Sequence, residues 1–440
     1  MDLSLLHKVF GHDALRPGQE ELIQAIVDER DLLGVMATGS GKSLCYQYPA
    51  VLANRRALVI SPLISLMNDQ VKKLDLVGLP AAALHSGMEA SERRLALERW
   101  ANGTLRFLYI APERFAQADF WGVLESGKPD YAVIDEAHCI AHWGHDFRPE
   151  YQALGEIKER LRIPVAAFTA TATPEVQREI VQRLRLQLPL VRVHGFYRSN
   201  LAFEAVQEGS DAKRTARIRS SVAAEGATIV YCASRKRVEE LTIELQAAKL
   251  PAFAYHAGLS TEEREAAHQH FRDDARVVLV ATNAFGMGVD RPDVRAVLHA
   301  QMPGSLEAYY QEAGRAGRDG LPATCLLLHG PGDVAIHEFF IRQSVSAYAE
   351  ASADKDSAFA KATADEGSAR RSLGEGGWEA HKRAQLEHMR RYAYASICRQ
   401  RAIMDYFGDI ETLEEGCGVC DNCEAPAAQA VDERTKETVR

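Results

Sequence analysis

Four short polar motifs stand along this chain in a fixed order, most of them directly behind an apolar run, and that order leaves few folds open to it. They are Thr38-Gly39-Ser40-Gly41-Lys42-Ser43, Asp135-Glu136-Ala137-His138, Thr169-Ala170-Thr171 and Gln311-Glu312-Ala313-Gly314-Arg315-Ala316-Gly317-Arg318. Polar motifs at the ends of buried apolar runs are what a parallel sheet with functional loops at its carboxyl edge produces. A glycine-rich turn ahead of a helix lets backbone N–H groups surround a polyphosphate. Lys42 adds a fixed positive charge there, and the Ser43 hydroxyl suits magnesium. The strict phosphate-loop pattern wants glycine where Met36 stands, so this cluster takes its weight from the whole set. Asp135 and Glu136 follow Tyr131-Ala132-Val133-Ile134, which places them at a strand end, Asp135 on the metal and Glu136 beside the attacking water. Arg315 and Arg318 supply the positive charge that a departing γ-phosphate requires. The series predicts a nucleotide-driven motor.

Runs that read as strands recur at 57–60, 107–110, 131–134 and 165–168, separated by helical patterns such as 92–100 and 174–184. This alternation predicts a parallel sheet covered by helices on both faces. A second cycle begins near residue 210, with strands at 228–231, 252–255, 277–280, 296–299 and 324–328. The expected fold is α/β, two tandem parallel-sheet domains followed by a small helical module, in keeping with a 440-residue chain too long for one core. The polar stretch 207–211 is the expected boundary, giving domains 1–206 and 207–342. Residues 343–425 form the module, in which 351–377, rich in Ala, Ser, Gly and charge, are expected to be a disordered insertion, and 426–440 are a charged tail. The net charge of −9 argues against a uniformly basic nucleic-acid coat, yet a motor on DNA needs only a local basic track. No apolar stretch is long enough to span a membrane and no signal peptide is legible, so a cytoplasmic protein is expected.

The cysteines fall into two groups. Cys45, Cys139, Cys232 and Cys325 stand singly in apolar or motif contexts, as small buried hydrophobes of a reducing compartment do. Cys398, Cys417, Cys420 and Cys423 are clustered, and two consecutive Cys-x-x-Cys steps with a fourth Cys upstream have the ligand number of a tetrahedral structural zinc site. An iron–sulfur cluster is the competing reading, although the Cys-Pro that follows in ferredoxins is missing.

Longer stretches carry a family likeness. Phe10-Gly11-His12 with Arg16-Pro17-Gly18-Gln19, then Ser61-Pro62-Leu63-Ile64-Ser65-Leu66-Met67, and above all the run from Asp135-Glu136-Ala137-His138 through Trp143-Gly144-His145-Asp146-Phe147-Arg148-Pro149-Glu150-Tyr151 resemble the RecQ family of DNA helicases, in helicase superfamily two. Tyr255-His256-Ala257-Gly258-Leu259, Ala281-Thr282 through Gly286-Met287-Gly288-Val289, and Tyr309-Tyr310-Gln311 through Gly320 extend the resemblance over residues 5 to 425.

The resemblance implies two RecA-like domains and a zinc module with its first cysteine, Cys398, on a helix and Cys417, Cys420 and Cys423 in the loop after Tyr406-Phe407-Gly408. It implies ATP, held by Thr38, Gly39, Ser40, Gly41, Lys42, Ser43, Asp135 and Gln311, with the base read by Arg16 and Gln19 beside His12, where the family carries an aromatic ring. Magnesium would sit on Ser43 and Asp135, and Lys42, Asp135, Glu136, Arg315 and Arg318 would be catalytic. Aromatic and basic groups alternate through Trp143, His145, Phe147, Arg148 and Tyr151, and aromatic faces stack unpaired bases without sequence preference. The resemblance makes this DNA-binding loop the coupler between strand binding and hydrolysis, while Trp143 and Phe147 also fit a plain packing role.

The two arginines and the phosphate loop fall in different domains, so hydrolysis would need a closed cleft, and the ATP cycle would become stepwise movement along DNA. The expected function is an ATP-dependent DNA helicase moving 3′ to 5′ on single-stranded DNA and unwinding tailed duplexes in recombination and repair, with links to replication and the SOS response. Polarity and pathway are implied by the resemblance alone. An RNA helicase, and a zinc-dependent DNA-binding protein using ATP as a conformational switch, are the alternatives. A monomer is expected, nucleoid-associated and working with DNA repair proteins. Many relatives continue past the zinc motif into a winged helix and a further helical domain, and a chain ending at Arg440, a natural short form or a fragment, is expected to unwind long duplexes weakly.

Overall fold

The computed structural model describes residues 1–116, 118–141, 148–285, 291–351, 375–411, 413 and 415–424. The expectations for Trp143, His145 and Phe147, for 286–289, for the interior of the insertion and for the tail 426–440 lie outside the described residues. The described chain forms two compact units, Met1–Gly195 with Phe407–Asp409, and 196–351 with Glu375–Tyr406 and the described residues from Ile410 onward.

The first unit is built on seven strands: β1 (Leu32–Met36), β2 (Ala57–Ile60), β3 (Ala81–Leu84), β4 (Phe107–Ile110), β5 (Tyr131–Ile134), β6 (Val165–Thr169) and β7 (Leu190–His194). They lie in the order β3-β4-β2-β5-β6-β1-β7, with every pairing parallel. All residues of β1 to β6 are buried, as strands covered on both faces must be. Gly34 in β1 allows close packing, because a Cβ there would lie 2.9 Å from the Phe168 ring. The helix Lys42–Leu52 leaves the end of β1, and its Tyr46 ring packs on Phe168 with centroids 5.7 Å apart.

The second unit carries β8 (Leu201–Gln207), β9 (Gly226–Tyr231), β10 (Ala252–Tyr255), β11 (Arg276–Ala281), β12 (Val294–His299) and β13 (Ala323–His329) in the order β10-β11-β9-β12-β13-β8, again all parallel. The boundary expected at 207 is thereby corrected. The strand Leu201–Gln207 pairs with β13 and belongs to the second sheet, so this unit begins at Phe196. The carboxy-terminal helix Glu375–Ala393 and all of the helix Arg399–Phe407 except its last residue belong to the same unit as this sheet. The edges of the expected insertion also shift: Ala351 ends the helix Pro331–Ala351, and Glu375, Gly376 and Gly377 open the next one. The helix Pro331–Ala351 is tied to the helix Asp211–Ser221 by Arg214, whose guanidinium meets the Asp333 carboxylate at 2.8 and 3.1 Å with both side chains buried.

One buried carboxylate holds the base of the first unit together. Asp31, 3% exposed, accepts from Lys158 Nζ at 2.5 and 2.7 Å, from the Val165 N–H at 3.0 Å and from the Gln187 N–H at 2.6 Å. It therefore joins the starts of β1 and β6 to the segment before β7. Removing it strands two backbone donors and an ammonium, so Asp31→Ala should cost about 3 kcal/mol or more in a urea titration of the first unit. A loss below about 1 kcal/mol would show that water replaces the carboxylate.

Candidate active site

The loop after β1 is shaped for phosphate by its own backbone. Gly39 and Gly41 take φ of +81° and +89°, the left-handed region that glycine enters freely. Gly41 caps the helix Lys42–Leu52 without a side-chain partner, which leaves the helix's first N–H groups open to an anion. A Cβ on Gly41 would lie 2.5 Å from Gln19 Nε2. Gln19 is 1% exposed and its amide serves the loop: Nε2 donates to the Ser40 and Gly41 carbonyls at 3.1 and 3.3 Å, while Oε1 accepts the Arg16 N–H at 2.8 Å. Arg16 Nη1 donates to the Gly39 carbonyl at 2.5 Å, and His12 is exposed. The residues read as base-binding thus hold the phosphate loop in this structure, and a base edge would compete with loop carbonyls for Gln19. Lys42 Nζ donates to the Met36 carbonyl at 3.1 Å, and Ser40 Oγ is buried without a hydrogen-bond partner. A triphosphate is an acceptor that both groups fit.

Asp135 and Glu136 stand at the end of β5, separated from β1 by β6 alone. Asp135 is 7% exposed and its carboxylate has two hydrogen bonds, from the Glu136 N–H at 3.0 Å and from Ser61 Oγ at a long 3.5 Å. Burial, reinforced by the neighbouring Glu136 charge, pushes its carboxyl up to about 7. A hard cation would relieve that cost, and the oxygen donors of Ser43 and Asp135 are those magnesium takes. Glu136 itself sits at φ +49°, a strained position for a side-chain-bearing residue. Its Oε2 lies 3.3 Å from His138 Nδ1, which also meets Thr169 Oγ1 at 2.7 Å. Thr169 Oγ1 in turn accepts the Thr171 N–H at 3.3 Å, so the second and third motifs form one polar cluster. Tyr151, which the sequence grouped with the base-stacking loop, is fully buried and donates to the Asp135 carbonyl at 3.0 Å. It is a support for the acidic pair. Arg148 is half-buried.

In the second unit the helix Leu306–Ala313 carries Gln311 and runs into the arginine turn. Arg315 is 6% exposed, lies beside the Tyr231 phenol and keeps a buried Nε without a hydrogen-bond partner. Upstream, His299 Nε2 meets Glu312 at 2.9 Å and its ring stacks on Tyr231 at 5.3 Å. Neither His299 nor Tyr231 was singled out from the sequence, because both read as the ends of ordinary strands.

The four clustered cysteines converge. All four Sγ atoms lie within 4.8 Å of one another, with Cys417 and Cys423 at 3.9 Å, close to the sulfur–sulfur edge of about 3.8 Å that a tetrahedron with 2.3 Å zinc–sulfur bonds requires. Cys398, expected on a helix, is the residue just before the helix Arg399–Phe407, and Cys423 lies in the short helix Asp421–Glu424. Gly416 at φ +84° lets the chain pass Cys423, since a Cβ there would lie 2.8 Å from its sulfur.

The comparisons with known proteins agree with this geometry. Residues 16–180 match the DEAD/DEAH box helicase model, 212–320 the helicase conserved C-terminal domain, and 331–424 the RecQ zinc-binding model. The chain is 38% identical to the ATP-dependent DNA helicase RecQ of Pasteurella multocida over 97% of its length, and 40% identical to RecS of Bacillus subtilis over 79% of this chain and 71% of that protein. It belongs to the RecQ helicase family. The chain spans 63% of the Pasteurella RecQ and 66% of the Bacillus subtilis RecQ, to which it is also 38% identical. Among solved structures, Mycobacterium smegmatis helicase Lhr bound to single-stranded DNA and AMP-PNP matches with TM-score 0.57 at 20% identity, covering 75% of this chain and 47% of Lhr. Mss116p bound to single-stranded RNA and AMP-PNP gives 0.58 at 19%, covering 75% and 73%. At such identity these two share the fold. The zinc-binding model covers all four clustered cysteines, which makes them the candidate zinc ligands. Among the described residues no helix is long and apolar enough to cross a membrane.

Two measurements follow from this geometry. Elemental analysis should return about one zinc per chain, and iron in its place would reverse the assignment of the cysteines. Asp135→Asn removes a carboxyl whose folded pKa lies above its unfolded value, so the wild type loses stability as pH rises from about 4 through 7. The variant should therefore be more stable by roughly 2–4 kcal/mol at pH 8, and the gain should shrink by more than half at pH 5. A pH-independent difference in chemical denaturation would mean that Asp135 ionises freely.

Proposed function

We propose that the chain is the motor of an ATP-dependent DNA helicase, moving 3′ to 5′ on single-stranded DNA and separating tailed duplexes in recombination and repair. The observation that carries this reading is the phosphate loop and the Asp135–Glu136 pair at the same edge of one parallel sheet, with only β6 between their strands, in a chain whose RecQ relatives are named ATP-dependent DNA helicases. Lys42 leaves the Met36 carbonyl for the β- and γ-phosphates, and the open N–H groups of the helix Lys42–Leu52 bind the same oxygens. Ser43 and Asp135 would hold magnesium, which supplies charge neutralisation on the phosphates. Glu136, held by His138, takes the proton of the attacking water, and Arg315 and Arg318 stabilise the transition-state charge. Lys42, Asp135 and Glu136 belong to the first unit and Arg315 and Arg318 to the second, so this reading makes hydrolysis depend on residues of both. Arg148 and the loop around it bind the unpaired strand, and Gln311 is among the residues that hold the nucleotide. We further propose a monomer acting in the cytoplasm on nucleoid DNA, alongside DNA repair proteins.

Phosphate release should be low without nucleic acid, rise strongly with single-stranded DNA and respond little to RNA, and DNA binding should weaken steeply with salt. Glu136→Gln should keep nucleotide binding and lose about a hundredfold or more in turnover, whereas Lys42→Ala should weaken both. Turnover within a few-fold of wild type in either variant would end the assignment, and equal stimulation by RNA would favour the RNA-helicase alternative.

A further inference from the structure

A series of hydrogen bonds runs from the zinc site to the arginine turn that neither site needs for its own chemistry. Gln400, two residues beyond Cys398, is fully buried and holds the backbone of Arg198 and Leu201. Its Oε1 accepts the Arg198 N–H at 2.8 Å, and its Nε2 donates to the Arg198 carbonyl at 2.8 Å and the Leu201 carbonyl at 3.1 Å. The Arg198 guanidinium then reaches the arginine motif, where Nη2 donates to the Gly317 carbonyl at 3.0 Å and the Ala316 carbonyl at 3.3 Å. Asn200 Nδ2 adds bonds to the Gly317 and Leu321 carbonyls at 2.8 and 2.9 Å. Gly317, at φ +54°, has no room for a side chain, since a Cβ would lie 2.5 Å from Asn200 Nδ2.

The other end is equally fixed. Arg399 grips the Asp421 carboxylate at 2.9 and 3.1 Å, and Asp421 lies between Cys420 and Cys423. The Ala205 N–H in β8 donates to the same carboxylate at 2.9 Å, and the Arg399 N–H points at Cys420 Sγ at 3.4 Å. The cysteine loops, Arg399–Gln400, Arg198 and the Ala316–Gly317 carbonyls are therefore one hydrogen-bonded body. Those two carbonyls lie between Arg315 and Arg318, so whatever holds them sets where the two guanidinium groups start from. Placement of charge on a departing phosphoryl group tolerates little error, and a displacement of about 1 Å can cost on the order of a hundredfold in rate.

We propose that Arg198 and Gln400 are positioning residues through which the zinc-binding module sets the geometry of the Arg315–Arg318 turn. The inference rests on the reading of those arginines as groups that act in hydrolysis. Zinc in this chain then serves turnover as well as folding of the module.

The test uses the full chain at saturating single-stranded DNA, with Arg198→Ala, Arg198→Lys and Gln400→Leu beside Arg318→Ala as reference. For each, kcat and KM for ATP, equilibrium binding of a fluorescent ATP analogue, and zinc content are measured. Arg198→Ala should lower kcat about tenfold or more while KM, analogue affinity and zinc content stay within about twofold. Arg198→Lys should recover part of the loss, because an ammonium reaches one of the two carbonyls. Gln400→Leu should lower kcat with zinc retained. A kcat within twofold of wild type in Arg198→Ala, or a loss shared equally by kcat, analogue affinity and zinc, would overturn the proposal. If Arg318→Ala itself left kcat unchanged, the reading of the arginines would fail first, and this inference with it.

Discussion

Parallel pairing throughout the first sheet is the constraint on which the rest depends. Strands that all run one way place all their carboxyl ends on one edge, so β1 delivers the phosphate loop, β5 the acidic pair, β6 the threonine cluster and β2 Ser61 to the same side of the unit. The burial that makes such a sheet stable also makes that edge a place where charge is costly. Asp135 emerges from fully buried strands, and this is why its carboxyl is pushed up and a cation is welcome beside it. Fold and chemistry have one origin here, since the same covered sheet that aligns the groups also desolvates them.

The second unit repeats the architecture for a different purpose. On the proposed reading its contribution is an arginine turn that must be held without being neutralised. Support reaches that turn through backbone carbonyls, from Arg198 and Asn200, and leaves the Arg315 Nε buried without a hydrogen-bond partner. A carboxylate on Arg315 would have fixed it more tightly and taken away the donors a phosphate needs. The zinc module belongs to this division of labour. Its sulfurs hold the loops, and the residues flanking them, Arg399, Gln400 and Asp421, carry the order into β8 and beyond.

Much of this was legible in the sequence because chemistry at strand ends is local. The motifs announced the two sheets, the phosphate loop, the acidic pair and the four sulfurs, and the strands rich in valine and isoleucine at 57–60, 131–134 and 277–280 announced themselves. Four strands did not. Ala81-Ala82-Ala83-Leu84 holds no β-branched residue and becomes β3 through pairing with β4 and burial, a tertiary effect that propensity misses. Leu32-Leu33-Gly34-Val35-Met36 is interrupted by a glycine whose reason, the Phe168 ring, lies more than a hundred residues away. β7 is a half-exposed edge, and β8 runs into the polar stretch that looked like a boundary. Tyr151 misled in a different way, since an aromatic residue beside an exposed-looking motif and one beneath it read alike. The Gln400–Arg198 clamp left no trace at all, because it joins distant residues through main-chain groups that every residue carries.

Two buried aspartates show how environment, rather than residue type, separates support from chemistry. Asp31 and Asp135 are both under 10% exposed, and both stand at the ends of strands. Asp31 collects two backbone N–H groups and an ammonium, so its charge is answered within the protein. Asp135 collects one backbone N–H and one long hydroxyl contact, with Glu136 repelling it. The Lys42 charge eases that repulsion without a bond to the carboxylate, and an ammonium bonded to Asp135 as Lys158 is to Asp31 would occupy the place a cation would take. The incomplete set of partners around Asp135 is thus a feature the fold tolerates because Asp31 and the parallel sheet supply stability elsewhere, and the same asymmetry, support fully paired and reacting groups left short of partners, recurs at Ser40 Oγ and Arg315 Nε.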